Sequence, residues 1–457
     1  MTGRRVWVAL PDQLSIRVFL DTGIVDGLRD RLDDRIAAVF LVRPEEAAGW
    51  EPRLDGIPVL HGRDLTGARG TAQRALRRLD AWLDRRIGFH PLAIRLNYRY
   101  GFHLERMEPG HPNWMLDSAR EGPLPRWDSL ERAMERWHFS ARRHVPRTLL
   151  DAMRRECSAL VLSNAQPQVA VPYLVAARRL ELPVVAYIAS WDHTVGKGVI
   201  SPFCDLYVVQ NDVMRDDLER YHGIGRERVA VTGWPQADVF HERHTRDEYD
   251  ALLRRYGLDP SRPLVLVMGN TPTNTPYEHR LVERLVAWWG EHRRAQFQLL
   301  FRPHPRDREW ERRFRAATGR EGAYVQEPSY TDLKELGTLL QHGDVVVANA
   351  GTILLDALVN DRPAVCVLYD EGAPPGESWA AKNVIGKHYE ELAASGAFYR
   401  AESFDEVAGG IERALEHPAE LAEARRRVVH EVVGDVDGRA AERAVDAIVG
   451  GLRGAAR

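Results

Sequence analysis

The chain has little cysteine, little lysine and no long apolar run, and each shortage excludes a class of protein. Its three cysteines, Cys157, Cys204 and Cys366, lie far apart and form neither a CxxC motif nor a Cys/His spacing. This pattern favours reduced thiols and argues against a disulfide framework or a structural zinc site. No run of about 18 apolar residues is free of charge, so we expect no membrane-spanning helix.

Net charge and the opening segment bear on partners and location. The formal net charge is −3, which gives no general attraction to nucleic acid, and we expect no nucleic-acid partner. The apolar run in MTGRRVWVAL is interrupted within a few residues by Pro11, Asp12 and Gln13, too early for a secretory signal. We therefore expect a cytoplasmic protein, with peripheral contact to a membrane left open.

Short runs rich in β-branched residues alternate with longer helical patterns, which is typical of βαβ units and parallel sheets. The predicted strands form two groups, at 6–10, 36–42, 159–164, 183–190, 206–211 and 229–233, then at 263–270, 297–302, 344–349 and 363–369. A chain of 457 residues exceeds what one core usually serves. The predicted fold class is therefore α/β, with two Rossmann-like parallel-sheet domains facing a central cleft.

The domain boundary is predicted in the polar, breaker-rich stretch 235–263, where few contacts are expected to cross. Residues 1–240 are then an N-terminal domain, and residues 241–457 a C-terminal domain. Residues 88–147 fit the alternation poorly and carry three tryptophans. We predict a helical insertion with partly buried tryptophans there, and the alternative is an acceptor platform or a membrane-facing patch.

Polar residues follow two strands of the second half. Ligands of open parallel sheets bind beyond the carboxyl ends of the strands. Strand 297–302 ends in Arg302 and His304, held between prolines in FRPHP, which favours a fixed cation and imidazole aimed at an anion. Strand 263–270 runs into a loop in which Asn270 and Thr271 can offer amides and a hydroxyl to phosphate.

A third strand of the second half runs into a probable helix. In NAGTILLDALV, Gly351 permits a tight turn and Thr352 stands at the helix start, where backbone N–H groups lack partners. Asp356 follows one turn later on the same face and can accept bonds from a ribose diol. Capping and an ordinary solvated helix aspartate are the alternative roles of Thr352 and Asp356.

Candidates for the catalytic base lie in the first half. Asp12 follows the first strand, and Asp192 and His193 follow the strand that ends near residue 190. His193 has the most suitable intrinsic pKa, whereas Asp12 and Asp192 can equally be turn or capping residues. Lys197, one of only four lysines, is flanked by glycines in VGKG and can approach a phosphate closely, or be a solvated surface lysine.

We expect no metal ion. Asp435-Val436-Asp437 is nominally a DxD motif, but it precedes Gly438 in a mostly helical region, where loop geometry or capping is the more natural use. Arg302, His304 and the helix starting at Thr352 can stabilise a departing phosphate without a metal. No separate cofactor is predicted.

Several segments resemble the GT-B-type glycosyltransferase superfamily, in particular bacterial surface-carbohydrate glycosyltransferases and the CDP-glycerol glycerophosphotransferase family. They are ASWDHTVGKG (189–198), FRPHP (301–305), DVVVANAGTILLDALVNDRPAV (344–365), KHYEELAASGAF (387–398) and GDVDGRAAERAVDAI (434–448). The resemblance covers about residues 159 to 440.

The resemblance implies that residues 1–240 form the acceptor side and that residues 241–457 bind the nucleotide donor. It also implies roles for single residues. Those assigned to the donor diphosphate are Arg302, His304, Gly351 and Thr352. Asp356 takes the place of the acidic residue that holds the ribose, although many relatives have Glu there. His388 falls in a loop facing the cleft. His193 stands where related stretches often show Asn, so the resemblance assigns it no role.

The function that follows is metal-independent transfer of a sugar from a nucleotide-sugar donor to a glycan, lipid-linked or small-molecule acceptor. One alternative is transfer of glycerol phosphate from CDP-glycerol, in which phosphorus itself is attacked. A second is a catalytically silent scaffold that still binds nucleotide. A third is a UDP-sugar 2-epimerase, although the acidic, glycine-paired stretch expected of that enzyme is not seen at NAGTILLDA.

Overall fold

The computed structural model describes residues 3–66, 139–140, 144–166, 168–196, 200–272, 274–374, 380 and 389–455. The chain divides into two compact units. Unit 1 takes the described residues up to Asp238 together with those from Asp437 onward, and unit 2 takes Val239–Val436. The domain ranges 1–240 and 241–457 stay a prediction, and the expected insertion at 88–147 lies almost entirely outside the described residues.

Unit 1 is built on a seven-stranded sheet in the order β3-β2-β1-β4-β5-β6-β7. All its strand pairs are parallel. The strands are β1 (Arg5–Leu10), β2 (Ile36–Phe40), β3 (Val59–His61), β4 (Cys157–Leu162), β5 (Val184–Tyr187), β6 (Leu206–Val209) and β7 (Val229–Val231). The order reverses direction between β1 and β4, the kind of switch point at which open sheets bind ligands.

Unit 2 is built on a six-stranded sheet in the order β10-β9-β8-β11-β12-β13. Its strand pairs are also parallel. The strands are β8 (Leu264–Met268), β9 (Gln298–Arg302), β10 (Ala323–Val325), β11 (Val345–Ala348), β12 (Ala364–Val367) and β13 (Tyr399–Ala401). The switch point of this sheet lies between β8 and β11.

The described helices lie between and around these strands. They are α1 (Gln13–Asp21), α2 (Ile24–Arg31), α3 (Pro44–Ala47), α4 (Gly62–Thr66), α5 (Arg147–Glu156), α6 (Val171–Arg179), α7 (His193–Gly196), α8 (Asp212–His222), α9 (Pro235–His241), α10 (Arg246–Arg255), α11 (Glu278–Trp288), α12 (Trp310–Arg313), α13 (Leu333–His342), α14 (Thr352–Val359), α15 (Glu390–Ala394), α16 (Phe404–Glu416), α17 (Ala422–Val432) and α18 (Ala440–Ala455). Among these described helices, none is long and apolar enough to cross a membrane.

The sequence dictates this architecture through continuous apolar strands. Every residue of β2, β8 and β11 is buried, as expected of parallel strands covered on both faces. Local signals set the helix ends. Asn211 caps α8 by accepting from the Met214 N–H at 2.8 Å, and Gly223 ends it in the left-handed conformation, φ 65°. The predicted pair of Rossmann-like parallel sheets is confirmed.

The carboxyl-terminal helix α18 belongs to unit 1. The carboxylate of Asp238 accepts the Ala440 and Ala441 N–H groups at 3.1 and 2.7 Å, which caps the helix start. Farther along, Gly451 lies so close to β6 that a Cβ there would be 2.8 Å from a Leu206 methyl. A segment that follows unit 2 in sequence thus completes the packing of unit 1.

Candidate functional site

Three loops meet at the carboxyl edge of the unit 2 sheet, because β9, β8 and β11 are neighbours. The Gly269 N–H donates to the Arg302 carbonyl at 2.9 Å, which joins the loops after β8 and β9. The Asn270 side chain donates to the Asn349 side chain and to the Ala350 carbonyl, each at 3.3 Å. That second link bridges the switch point and ends one residue before Gly351.

Arg302 is the last residue of β9 and is only 8 % exposed. Its Nη1 donates to the Gln326 side chain at 2.6 Å, and its Nη2 donates to Asp332 Oδ1 at 2.7 Å. The guanidinium charge is therefore balanced by a carboxylate within unit 2. Direct contact between Arg302 and a diphosphate stays a prediction.

His304 is half-buried in the loop after β9. Its Nδ1 accepts the Arg306 N–H at 3.0 Å, so the neutral ring carries its proton on Nε2. The His304 carbonyl accepts the Asp307 N–H at 2.8 Å, which closes the turn around the imidazole. The prolines on either side and these two bonds hold the ring in one orientation.

The start of α14 differs from expectation in one respect. Gly351 has φ 176°, an extended backbone that any residue adopts, and a Cβ there would have no neighbour within 4 Å. The glycine is thus not required by a tight turn, contrary to the sequence analysis. The Tyr389 hydroxyl donates to the Gly351 carbonyl at 2.7 Å. Thr352 opens α14 half-buried, and Asp356 is buried one turn later.

The loop after β8 uses its first amides inside unit 2. The Asn270 N–H donates to Glu278 Oε1 at 2.9 Å, and the Thr271 N–H donates to the Asn270 side chain at 2.7 Å. Thr271 itself is buried. Phosphate binding by Asn270 and Thr271 stays a prediction, and the two amides already have protein acceptors.

In unit 1, Asp12 lies at the carboxyl edge of the sheet with both oxygens engaged. Oδ1 accepts the Ser15 N–H at 2.9 Å and caps α1, while Oδ2 accepts the Asn164 side chain at 2.8 Å. Asn164 follows β4, so this bond joins the ends of the two strands at the unit 1 switch point. The capping role that the sequence left open for Asp12 is present in the structure.

Asp192 and His193 lie beyond β5 at the same edge of the sheet. The Ser190 hydroxyl donates to Asp192 Oδ1 at 2.5 Å, and that oxygen is 4.0 Å from His193 Nε2. His193 is 7 % exposed, and its carbonyl accepts the Gln166 side chain at 2.6 Å. The carboxylate and ring are thus close, but too far apart for a hydrogen bond.

Two predicted ligand-binding residues, Lys197 and His388, lie outside the described residues. Sequence reasoning missed His222. Its ring bonds to the backbone of Thr194 and Ile200, which lie before and after the Lys197 segment. Its Nδ1 accepts the Ile200 N–H at 3.2 Å, and its Nε2 lies 2.7 Å from the Thr194 carbonyl. Burial lowers the pKa of His222 to about 4, so the ring is neutral at physiological pH.

A family comparison covers the residues of unit 2 described above. Residues 199–450 match the family described as CDP-Glycerol:Poly(glycerophosphate) glycerophosphotransferase. The chain belongs to this family. The matched range contains Arg302, His304, Thr352 and Asp356. Members of a glycerophosphotransferase family are transferases, and the reaction class of this chain is accordingly nucleotide-linked group transfer.

Solved structures share the fold of this glycerophosphotransferase-family chain. UDP-GlcNAc 2-epimerase from Neisseria meningitidis bound to UDP-GlcNAc is 9% identical, covers 98% of this chain and 100% of its own, and has a TM-score of 0.57. S. aureus MnaA in a co-structure with UDP is 11% identical over 98% and 96% of the chains, with a TM-score of 0.55.

The wall teichoic acid polymerase TagF is 13% identical over 67% of this chain and 75% of its own, with a TM-score of 0.47. Among curated proteins none matches this sequence. The expected GT-B-type resemblance and fold class are confirmed.

The family member also carries a buried charge cluster that sequence reasoning missed. Arg313, at the end of α12, is 2 % exposed and donates to Glu278 Oε2 at 2.7 Å and to Asp307. Burial raises the pKa of Glu278 to about 7, against the opposing effect of Arg313. No sequence signal separates Arg313 from the many other arginines, because its burial depends on tertiary packing.

The DVD sequence near the carboxyl terminus forms a turn. Asp437 Oδ1 accepts the Arg439 N–H at 3.1 Å, and Oδ2 accepts from Arg443 Nη1 at 2.7 Å. The Arg443 side chain holds the pKa of Asp437 below its ordinary value. Within the described ranges no cluster of His, Cys, Asp and Glu is arranged to hold a metal ion. Metal independence stays a prediction.

Proposed function

We propose that the chain transfers glycerol phosphate from CDP-glycerol to a hydroxyl group of an acceptor. The observation that carries the proposal is the family match over residues 199–450, which includes the whole carboxyl edge of the unit 2 sheet. Poly(glycerophosphate), the polymer in the family description, is the natural first acceptor to test. The proposal moves this reaction ahead of sugar transfer, which the sequence alone favoured.

The reaction has simple requirements. An acceptor hydroxyl oxygen attacks the phosphorus of the glycerol phosphate group, the bond from that phosphorus to the bridging oxygen breaks, and CMP leaves with the electron pair. The hydroxyl proton passes to a base. Positive charge and N–H donors must stabilise the phosphate oxygens, and a base must lie within hydrogen-bonding reach of the acceptor.

Unit 2 supplies donors suited to the pyrophosphate. His304 is held in one orientation by the Arg306 N–H on its Nδ1, which leaves Nε2 as the ring atom that carries the proton. The start of α14 adds backbone N–H groups and the Thr352 hydroxyl. In the proposal Arg302 contributes its charge from within the pair with Asp332, and Asp356 binds the ribose.

Unit 1 supplies the candidates for the base. His193 is preferred, because an imidazole titrates near neutral pH and Asp192 lies 4.0 Å from its Nε2. Asp12 ranks below it, since both of its oxygens already accept hydrogen bonds from protein donors. We expect His193→Ala to lower kcat on the order of a hundredfold or more while sparing donor affinity.

A panel of donors tests the proposal. The purified chain is incubated with CDP-glycerol, UDP-GlcNAc or a GDP-sugar together with a glycerol phosphate oligomer, and the released nucleotide is identified. Release of CMP with elongation of the oligomer supports the proposal. Release of UDP or GDP assigns sugar transfer, interconversion of UDP-GlcNAc without transfer assigns an epimerase, and nucleotide binding without turnover of any donor assigns a scaffold. Each of the last three outcomes overturns it.

A further inference from the structure

One guanidinium reaches several segments of the unit 2 edge at once. The Arg313 side chain is 1 % exposed, so no substrate can touch it. Its hydrogen-bond acceptors are the Asn270 carbonyl at 2.9 Å, the Thr275 carbonyl at 2.8 Å, the Thr275 hydroxyl at 3.3 Å, Glu278 Oε2 at 2.7 Å and Asp307 Oδ2. A planar guanidinium can serve this many acceptors in fixed directions, and an ammonium cannot.

These acceptors lie in the loops that carry the proposed donor-binding residues. Asn270 and Thr275 belong to the loop after β8, and Asp307 ends the turn that holds His304. The Asn270 side chain continues the chain of bonds to Asn349 and Ala350, just before the start of α14. Arg313 thus links, directly or through Asn270, the loops after β8, β9 and β11.

The link depends on charged side chains that are buried. The side chain of Asp307 is fully buried and that of Glu278 is 10 % exposed, so two carboxylates share one guanidinium away from water. A lysine in its place keeps one positive charge but cannot reach all the acceptors in their fixed directions, and buried carboxylates that lose their hydrogen-bond donors rearrange or take up protons. The loops on which Asp307 and Asn270 lie are then free to shift.

We propose that Arg313 is a positioning residue for donor binding, which holds the His304 turn and the loop after β8 at fixed places beside α14. The inference rests on the proposed nucleotide site of unit 2. It does not give Arg313 any contact with substrate. A displacement of a binding group by about 1 Å is enough to cost on the order of a hundredfold in a reaction that depends on positioning.

Arg425 provides a matched control. It is also 2 % exposed, and it donates to Asp361 at 2.7 Å and to the Pro418 carbonyl at 2.9 Å. Neither acceptor lies in the three loops, since Asp361 follows the far end of α14. Arg313→Lys and Arg425→Lys each replace a buried guanidinium, although Arg425 has fewer acceptors, and only the first substitution affects the proposed donor site.

The experiment compares both variants with the wild type by thermal unfolding, by titration with CDP and by kinetics with the donor that the wild type accepts. We expect both to lose thermal stability, while Arg313→Lys alone raises the CDP Kd and the donor KM on the order of tenfold, with a smaller change in kcat. Asp307→Asn, a milder change in the same cluster, should raise both constants in the same direction by a smaller factor.

Two results overturn the inference. One is a wild-type Kd and KM in Arg313→Lys, and the other is an equal rise in Arg425→Lys, since that would make the effect one of general stability. If Arg313→Lys does not fold, Asp307→Asn decides by the same criteria. A wild type that binds CDP but turns over only a sugar donor overturns the proposed function alone, and a wild type that binds no nucleotide overturns both.

Discussion

Arg302 pairs with Asp332 in the fold and is proposed to act in donor binding, and the two roles can be separated. Arg302→Met removes the counter-charge of Asp332, whose side chain is 14 % exposed. Breaking a pair buried to this degree costs about 3–5 kcal/mol. Arg302→Met with Asp332→Asn removes both charges, and we expect it to recover most of that free energy of unfolding in denaturant titrations.

Donor binding should behave differently in the same variants. Because the proposal places the Arg302 charge near the pyrophosphate, CDP should bind weakly to the single and the double variant alike, by about 1.5–3 kcal/mol. Calorimetric titration with CDP checks this. If the double variant recovered affinity together with stability, Arg302 would act only on the fold.

The raised pKa of Glu278 predicts an unusual dependence of stability on pH. Its pKa lies at about 7 in the folded chain and near 4.3 when exposed, so the folded state binds more protons between these values. Stability from this group is therefore present at low pH and falls as pH rises through 7. Glu278→Gln, neutral throughout, should gain a few degrees in Tm relative to wild type between about pH 5 and pH 8. A constant difference in Tm would contradict this.

Single residues also show what sequence alone can and cannot give. The position of Arg302 and His304 at a strand end follows from an apolar run stopped by prolines, and the structure has β9 end at Arg302. The partners of these side chains do not follow, because Asp332 and Gln326 come from distant elements. Arg313, Glu278 and His222 were missed for the same reason.

At the scale of elements, the apolar runs predict the long strands, and all ten predicted strands are present. Among the described residues, the strands that were missed are β3, β10 and β13, which are three residues long and lie at sheet edges, as does β7, which was predicted. Edge strands are covered less completely, and β3 and β10 contain no fully buried residue. Without a buried run, their sequences resemble loops.

The hydrogen bonds that His222 of α8 makes to the segment after β5 give a further prediction. His222 is neutral because burial lowers its pKa to about 4, whereas an exposed histidine has a pKa near 6.5. The unfolded state therefore binds more protons between these values, and this contribution to stability is lost as pH falls through them. His222→Gln keeps an N–H donor toward the Thr194 carbonyl but cannot take up a proton.

The measurement is Tm between about pH 7.5 and pH 5. Wild type should lose a few degrees more than His222→Gln over that range. Parallel curves for wild type and His222→Gln would show that His222 does not set this dependence.

For the whole molecule, sequence order is a poor guide to which segments pack together. The end of the chain follows unit 2 directly, yet the residues from Asp437 onward group with unit 1. The amphipathic pattern of α18 predicts a helix with a buried face. It does not predict which sheet covers that face, because both units offer apolar helices and strands.

Truncation tests this assignment. In α18 the buried residues are Ala440, Ala444, Val445, Ile448, Val449 and Leu452, and each large one contributes about 1.5–3 kcal/mol. Removing these residues takes away a free energy close to the 5–15 kcal/mol by which a domain is typically stable. It also leaves the Asp238 carboxylate without the N–H groups of Ala440 and Ala441.

A chain ending at Val436 should therefore show faster amide exchange in β5 and β6 than in β8 and β11. A chain ending at Arg453 keeps the buried face and should exchange like wild type. Equal loss of protection in both sheets of the shorter chain would contradict the grouping of α18 with unit 1.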